Sequence, residues 1–155
     1  MGKVLRQRLR QARFESPVQE AFFNVLVASG HLRERVDRVL DRHGMTSGQF
    51  NVLRILRGAH PQGLPRCEIA PRMVERAPDI TRTVDRLVQS GFVERTRSED
   101  DGRHSIARIT RKGLALLERI DPELTATFRD LAGRINEREA EMLSQLCEKL
   151  YEEDV

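Results

Sequence analysis

The chain has 155 residues, of which 39% are hydrophobic and 33% are charged, and its formal net charge at pH 7 is +3. This length suits one domain, with or without a dimerising extension. The sequence has no stretch of about 18 apolar residues, no apolar signal-peptide core at its N-terminus, and too few cysteines for a disulfide scaffold. We therefore expect a cytoplasmic protein without membrane contact.

Charge is unevenly distributed along the chain. Residues 1–60 carry 11 Lys+Arg against 5 Asp+Glu, residues 61–113 carry 11 against 8, and residues 114–155 carry 5 against 11. The first two segments can attract phosphate, whereas the acidic C-terminal segment is expected to lie away from a nucleic acid. The basic residues 1–16 form either a disordered arm or a solvated helical turn.

Helical periodicity begins after this basic segment. One helix is predicted from Pro17 to about His43 and is closed by Gly44. A capping sequence that begins at Thr46 starts a second helix, which runs to about Arg57.

A short third helix follows a loop that contains Pro61 and Gly63. It is predicted over residues 66–76, and Pro65 opens it with a preset φ angle rather than with a side-chain cap. Its inward-facing residues are expected to be Ile69, Met73 and Val74.

Residues 78–113 have the element order of a winged helix: a helix, a tight turn, two strands around a charged loop, and a new helix. Pro78 suits the first helical position, and Gly91 is a natural stop. Strands are predicted at 92–96 and 106–110 from their β-branched content. The apolar stripe of the helix consists of Ile80, Val84, Leu87 and Val88.

This helix and hairpin offer two kinds of contact to a DNA duplex. Outward hydroxyl and guanidinium groups on the helix can reach base edges and phosphates in the major groove, and Arg103 and His104 at the hairpin tip can enter the minor groove. Asp79 would repel phosphate, so we assign it to the positive helix terminus. Spacing alone leaves open that helix and hairpin only pack together and present solvated charges.

The C-terminal region is also predicted to be helical. A long helix begins near Arg111, Pro122 should kink it or end its first part, and Asn136 caps a last helix. The apolar stripes of the first helix and of both C-terminal helices need a partner outside the compact core, so we expect a homodimer.

Five short motifs between residues 45 and 118 match the pattern of a known family. They are Met45-Thr46-x-x-Gln49-Phe50-x-Val52-Leu53, Ile80-Thr81-Arg82-x-Val84-Asp85-Arg86-Leu87, Gly91-Phe92-Val93-Glu94-Arg95, Asp101-Gly102-Arg103 and Ile109-Thr110-x-x-Gly113. This pattern resembles the multiple-antibiotic-resistance regulator (MarR) family. The resemblance implies a homodimeric winged-helix transcription regulator, usually a repressor, with a mainly α fold that carries a small β wing (α+β).

The resemblance also assigns segments and residues. It implies dimerisation helices at 17–43 and 114–155 and a winged helix-turn-helix domain at 45–113, all within one intertwined domain. Residues 78–90 would be the recognition helix, and Asp101 in the wing would orient Arg103. The candidate DNA-binding residues are Thr81, Arg82, Thr83, Arg86, Arg95, Arg97, Asp101, Arg103 and His104. Two-fold symmetry predicts a palindromic double-stranded DNA partner.

A small-molecule effector is implied as well. Family members commonly bind aromatic or phenolic anions between the dimer helices and the winged helix, which releases DNA. The candidate ligand-binding residues are His31, Arg35, Met45, Phe50 and Met73. An imidazole and a guanidinium suit a carboxylate or phenolate, but Phe50 and Met73 fit a plain core equally well, and His31 fits an interface.

Two alternatives remain open for the function. Cys67, beside Arg66 at a helix start, could be an oxidisable switch or only a small packing residue. The winged helix could also be a protein-interaction module without specific DNA binding. We expect no enzymatic activity, cofactor or metal, because no nucleophile elbow, Gly-rich phosphate loop or zinc-ligand spacing occurs.

Overall fold

The computed structural model describes residues 2–75, 79–97 and 105–152. The helices are α1 (Lys3–Leu9), α2 (Pro17–Asp41), α3 (Ser47–Gly58), α4 (Arg66–Ile69), α5 (Ile80–Gln89), α6 (Arg111–Ala132) and α7 (Glu137–Glu148). The strands are β1 (Leu64–Pro65), β2 (Val93–Arg97) and β3 (Ser105–Ile109). The predicted fold class, mainly α with a small β wing, is confirmed. No helix in the described ranges is long and apolar enough to cross a lipid bilayer.

The chain divides into two compact units, Met1–Ser47 and Gly48–Val155. The first unit contains α2, which begins where the sequence predicts, because the Ser16 side chain caps it by accepting a hydrogen bond from the Gln19 N–H at 3.1 Å. Gly44 ends this helical region with a φ of 65°, and the Met45 N–H donates to the Leu40 carbonyl at 3.0 Å.

Part of the basic N-terminal segment is helical rather than disordered. Helix α1 occupies residues Lys3–Leu9, and its Leu5 side chain is buried. After it, the Phe14 and Phe23 rings lie 5.8 Å apart between centroids in a tilted arrangement.

The predicted third helix is too long. Helix α4 ends at Ile69, a 3-10 turn follows at Ala70–Arg72, and Met73 is extended. Pro71 explains the difference, because it has no N–H to donate to the Cys67 carbonyl and its ring clashes with an α-helical path there. Val74, expected to face inward, is 81% exposed, whereas Ile69 is buried as predicted.

The three-stranded antiparallel sheet has the order β1-β3-β2. Strands β2 and β3 confirm the sequence prediction to within one residue, with Val93 opposite Ile109 and Arg97 opposite Ser105. Strand β1, which the sequence does not predict, lies at the sheet edge and pairs Leu64 with Ala107. A two-residue strand that contains a proline has no periodicity to detect, and an edge strand tolerates that proline.

Helix α5 begins two residues later than predicted, at Ile80 instead of Pro78. Asp79 is its N-cap, since its side chain accepts a hydrogen bond from the Arg82 N–H at 2.9 Å, so the helix starts at Ile80. Pro78, expected at the first helical position, lies outside the described residues. Gly91, with a φ of 73°, ends the helical region as predicted, and the Phe92 N–H reaches back to the Leu87 carbonyl.

Helices α6 and α7 complete the second unit. Pro122 does not end α6, which is helical through it. Because Pro122 has no N–H, the Glu118 carbonyl loses its helical hydrogen bond. Both residues are exposed, so water can bond to that carbonyl oxygen instead. Asn136 caps α7 as predicted and forms a reciprocal capping box with Glu139, with N–H···O distances of 2.9 and 2.8 Å.

Candidate nucleic-acid interface

The packing of α5 decides which of its residues face solvent. Val84 and Leu87 are buried, so the opposite side of the helix is exposed. At 3.6 residues per turn, Arg82, Arg86 and Gln89 fall on this exposed side, and all three are exposed. The helix therefore presents two guanidinium groups one turn apart.

One flank of α5 is held by arginines from neighbouring elements. Arg66, at the start of α4, donates from Nη1 to Thr81 Oγ1 at 2.7 Å. Arg95, on β2, lies with its Nη1 2.6 Å from Asp85 Oδ1. Thr81 and Asp85 are four residues apart and thus on the same flank of the helix. These two contacts connect α5 to α4 and to the strand pair.

The other candidate positions on α5 differ in their hydrogen bonding. Among the described residues, the Arg82 and Arg86 guanidiniums have no hydrogen-bond or ion-pair partner, so both are available to a negatively charged ligand. The Thr83 hydroxyl instead donates to the Asp79 carbonyl at 3.2 Å within the first turn. Asp79 serves the helix terminus, as the sequence analysis predicts.

The corner between α5 and β2 is fixed by the start of α6. Lys112 Nζ donates to the Ser90 carbonyl at 2.8 Å and lies 4.8 Å from the centre of the Phe92 ring. The Thr110 hydroxyl donates to the Gly91 carbonyl at 2.8 Å. A Cβ atom at Gly113 would lie 2.4 Å from the carbonyl oxygen of Phe92, the residue before β2, so only glycine fits this approach of α6 to Phe92.

The tip of the hairpin lies outside the described residues. This applies to Asp101, Arg103 and His104, the predicted minor-groove residues. Arg97 is the last residue of β2, and its side chain is not among those described. Strands β2 and β3 are antiparallel, with Arg97 opposite Ser105.

Arg66 is a candidate interface residue that the sequence pattern does not indicate. It appears in the sequence only as a charged neighbour of Cys67, and its partner Thr81 is 15 residues away. No periodicity or motif links two such positions, because their contact depends on how α4 packs against α5.

The candidate ligand-binding residues are divided between the two units. His31, Arg35 and Met45 belong to the first unit, and Phe50 and Met73 belong to the second. Met45 and Phe50 are buried, as hydrophobic core residues are, whereas the other three are partly exposed.

The two cysteines lie in different environments. Cys67 is exposed on α4, and Cys147 is partly buried on α7. Within the described part of the chain, no group of three His, Cys, Asp or Glu side chains is placed to hold a metal ion.

Comparisons with known proteins agree on one family. The sequence model of the MarR family matches residues 45–105. The chain is 28% identical over 119 residues to the HTH-type transcriptional regulator MhqR of Bacillus subtilis. The aligned residues cover 77% of this chain and 81% of that protein.

Solved structures show the same relationship. The MarR transcription factor from Planctomyces limnophilus is 32% identical, with a TM-score of 0.68 and coverage of 88% of this chain and 98% of that one. A MarR family regulator from Streptomyces coelicolor, solved in complex with DNA, has a TM-score of 0.78 over 92% of this chain and 91% of that one. Its 23% identity supports the fold alone.

Proposed function

Because the chain belongs to the MarR family of transcriptional regulators, we propose that it binds a palindromic DNA operator as a homodimer and acts as a repressor. In this proposal α5 is the recognition helix and enters the major groove. The observation that carries the proposal is the pair Arg82 and Arg86, which are exposed, one turn apart and unpaired among the described residues. Arginine suits this role because its fork of donors fits guanine O6 and N7 or a phosphate.

Thr81 and Arg66 form a phosphate-binding pair in this proposal. Because Thr81 Oγ1 accepts its hydrogen bond from Arg66 Nη1, the hydroxyl hydrogen of Thr81 is free to point towards a phosphate oxygen. Arg66 is exposed and has further N–H groups to donate to the same phosphate. The backbone contact would set the position of α5 in the groove without reading sequence.

The wing contributes the second DNA contact. Arg97, Asp101, Arg103 and His104 are assigned to it by their place in the family motif, with Arg103 in the minor groove and Asp101 orienting its guanidinium. Strands β2 and β3 pair Arg97 with Ser105 at one end and Val93 with Ile109 at the other, and Lys112 holds the end of α5 near the second of these pairs.

Dimerisation is supported by exposed apolar side chains on the terminal helices. On α7 and the residues after it, the apolar side chains are between 51% and 54% exposed, and they comprise Met142, Leu143, Leu146, Leu150 and Tyr151. On α2, Phe22, Leu26 and Leu32 are also exposed. A partner chain would cover these surfaces. Residues 17–43 and 114–155 are accordingly the dimerisation helices, and residues 45–113 the DNA-binding domain.

Release of the DNA by an aromatic or phenolic anion completes the proposed switch. His31 and Arg35 supply an imidazole and a guanidinium on α2, and both side chains are partly exposed. These groups suit a carboxylate or phenolate.

A titration of one labelled duplex tests the DNA-binding role of α5. Arg82→Ala and Arg86→Ala should each weaken binding by about 1–3 kcal/mol if the arginine contacts a base. A contact to phosphate would also lower the slope of log K against log salt concentration by about one per recognition helix. Arg119→Ala is the matched control, because it removes the same charge from an exposed position on α6. Equal losses in all three variants would contradict the assignment of α5.

A further inference from the structure

Asp85 and Arg95 form an ion pair between α5 and β2. Arg95 Nη1 lies 2.6 Å from Asp85 Oδ1, and the two side chains are 36% and 44% exposed, respectively. Arg95 is the third residue of β2, and alternate side chains of a strand point to the same face, so it lies on the face of buried Val93. Helix α5 packs against this strand. The pair therefore connects the recognition helix directly to the wing.

We propose that Asp85 and Arg95 are positioning residues, which fix the wing relative to the recognition helix and do not themselves bind DNA. This inference rests on the proposed function. A helix and a wing that enter neighbouring grooves must keep a defined separation and angle. Contacts that set this arrangement in the free protein reduce the conformational freedom that is lost on binding.

The arginines near α5 thereby divide into two groups. Arg82 and Arg86 have no partner among the described residues and are available to DNA, whereas the guanidinium of Arg95 is already bonded to a carboxylate. Breaking that pair to reach a phosphate would leave Asp85 uncompensated on a helix that faces the polyanion. Arg95 is therefore more effective when it neutralises Asp85 than when it contacts phosphate.

Replacing Asp85 with asparagine distinguishes positioning from simple charge effects. The substitution removes a negative charge from a helix that faces phosphates, so charge alone predicts tighter DNA binding. The positioning role predicts weaker binding, because the contact to Arg95 is lost. Partly exposed ion pairs change an equilibrium constant by about two- to fivefold, and this range bounds the expected loss for each recognition helix.

The experiment measures DNA affinity at several salt concentrations for the wild-type chain and five variants. The test variants are Asp85→Asn, Arg95→Met, their double variant and Arg95→Lys. Glu94→Gln is the matched control, because Glu94 is the exposed neighbour of Arg95 on β2 and forms no ion pair with any described residue. Glu94→Gln removes one negative charge, as Asp85→Asn does, but Glu94 and Arg95 lie on opposite faces of β2.

Positioning predicts a specific pattern. Asp85→Asn and Arg95→Met should each weaken binding by about two- to fivefold per recognition helix, and the double variant should be no weaker than the worse single variant. Arg95→Met should leave the salt slope unchanged, Arg95→Lys should retain affinity to within about twofold, and Glu94→Gln should bind at least as tightly as wild type. Thermal unfolding of each free variant checks that the fold is retained.

Other results would overturn the proposal. Unchanged or tighter binding by Asp85→Asn would remove the positioning role. A salt slope that falls by about one per recognition helix in Arg95→Met, with losses that add in the double variant, would make Arg95 a phosphate contact. If the wild-type chain binds no duplex, both this inference and the proposed function are overturned. If the wild-type chain binds DNA and the variants do not follow the predicted pattern, only the positioning role of Asp85 and Arg95 is overturned.

Discussion

Replacing Gly113 with alanine tests how closely α6 approaches Phe92 and the end of β3. Helix propensity favours alanine over glycine by up to about 1 kcal/mol. The added Cβ, however, would lie 2.4 Å from the Phe92 carbonyl oxygen and 2.7 Å from Ile109 Cγ1. That carbonyl cannot move freely, because it accepts a hydrogen bond from the Thr110 N–H at 3.0 Å. Steric repulsion and propensity therefore predict opposite signs for the change in stability.

We expect the steric effect to dominate. Overpacking of this kind costs about 1–3 kcal/mol, so the net free energy of unfolding should fall by about 1–2 kcal/mol after the gain in propensity. For a chain of this size the midpoint of thermal unfolding should drop by about 2–8 °C. The measurement is thermal unfolding at one fixed protein concentration, since the stability of a dimer depends on concentration.

Gly48→Ala is the matched control for this prediction. Gly48 lies in the first turn of α3, and a Cβ there would meet no described atom within 4 Å. Only propensity acts at this position, so the control should be neutral or more stable by up to about 1 kcal/mol. A Gly113→Ala protein as stable as wild type would refute the close approach of α6 to the α5–β2 corner.

Four further predictions follow from the proposed function. Arg66→Ala and Thr81→Val should each weaken DNA binding, with losses that do not add in the double variant, because both remove one shared phosphate site; additive losses in a binding titration would separate the two residues. Arg103→Ala should weaken binding by about 1–3 kcal/mol with little change in thermal stability, and unchanged affinity would mean that the wing does not dock. Leu146→Glu, which places a charge at the proposed dimer interface, should convert a dimer into a 17.8 kDa monomer in sedimentation velocity, and a retained dimer would exclude this surface. Aromatic carboxylates should release DNA in a competition assay, whereas a peroxide effect that Cys67→Ser abolishes would favour the thiol switch instead.

The features that the sequence predicts correctly depend mostly on interactions between residues close together in the chain. The cap residue Asn136 and the stop at Gly91 act through groups a few residues away, so their roles can be read from neighbouring positions. Errors arose where two local signals competed. The apolar periodicity around Pro71 predicts a longer α4, but this proline ends the α-helical path there. Pro122, in contrast, lies at an exposed position, and α6 continues through it.

Contacts between elements could not be predicted in the same way. The contacts of Thr81 with Arg66 and of Asp85 with Arg95 join residues 15 and 10 positions apart in different elements. Neither pair has a characteristic spacing, because each depends on how α5 packs against α4 and β2. The exposed side of α5 could be predicted from periodicity, but which of its polar residues were already bonded could not.

Sequence-specific binding to a two-fold symmetric site is the central claim, and selection from a random duplex pool tests it most directly. The purified chain is incubated with the pool at near-physiological salt, and the bound duplexes are sequenced. The account predicts recovery of a palindromic motif of about 15–20 base pairs, with half-sites about one helical turn apart. Binding that is sensitive to salt but yields no motif, or no binding at all, would contradict it.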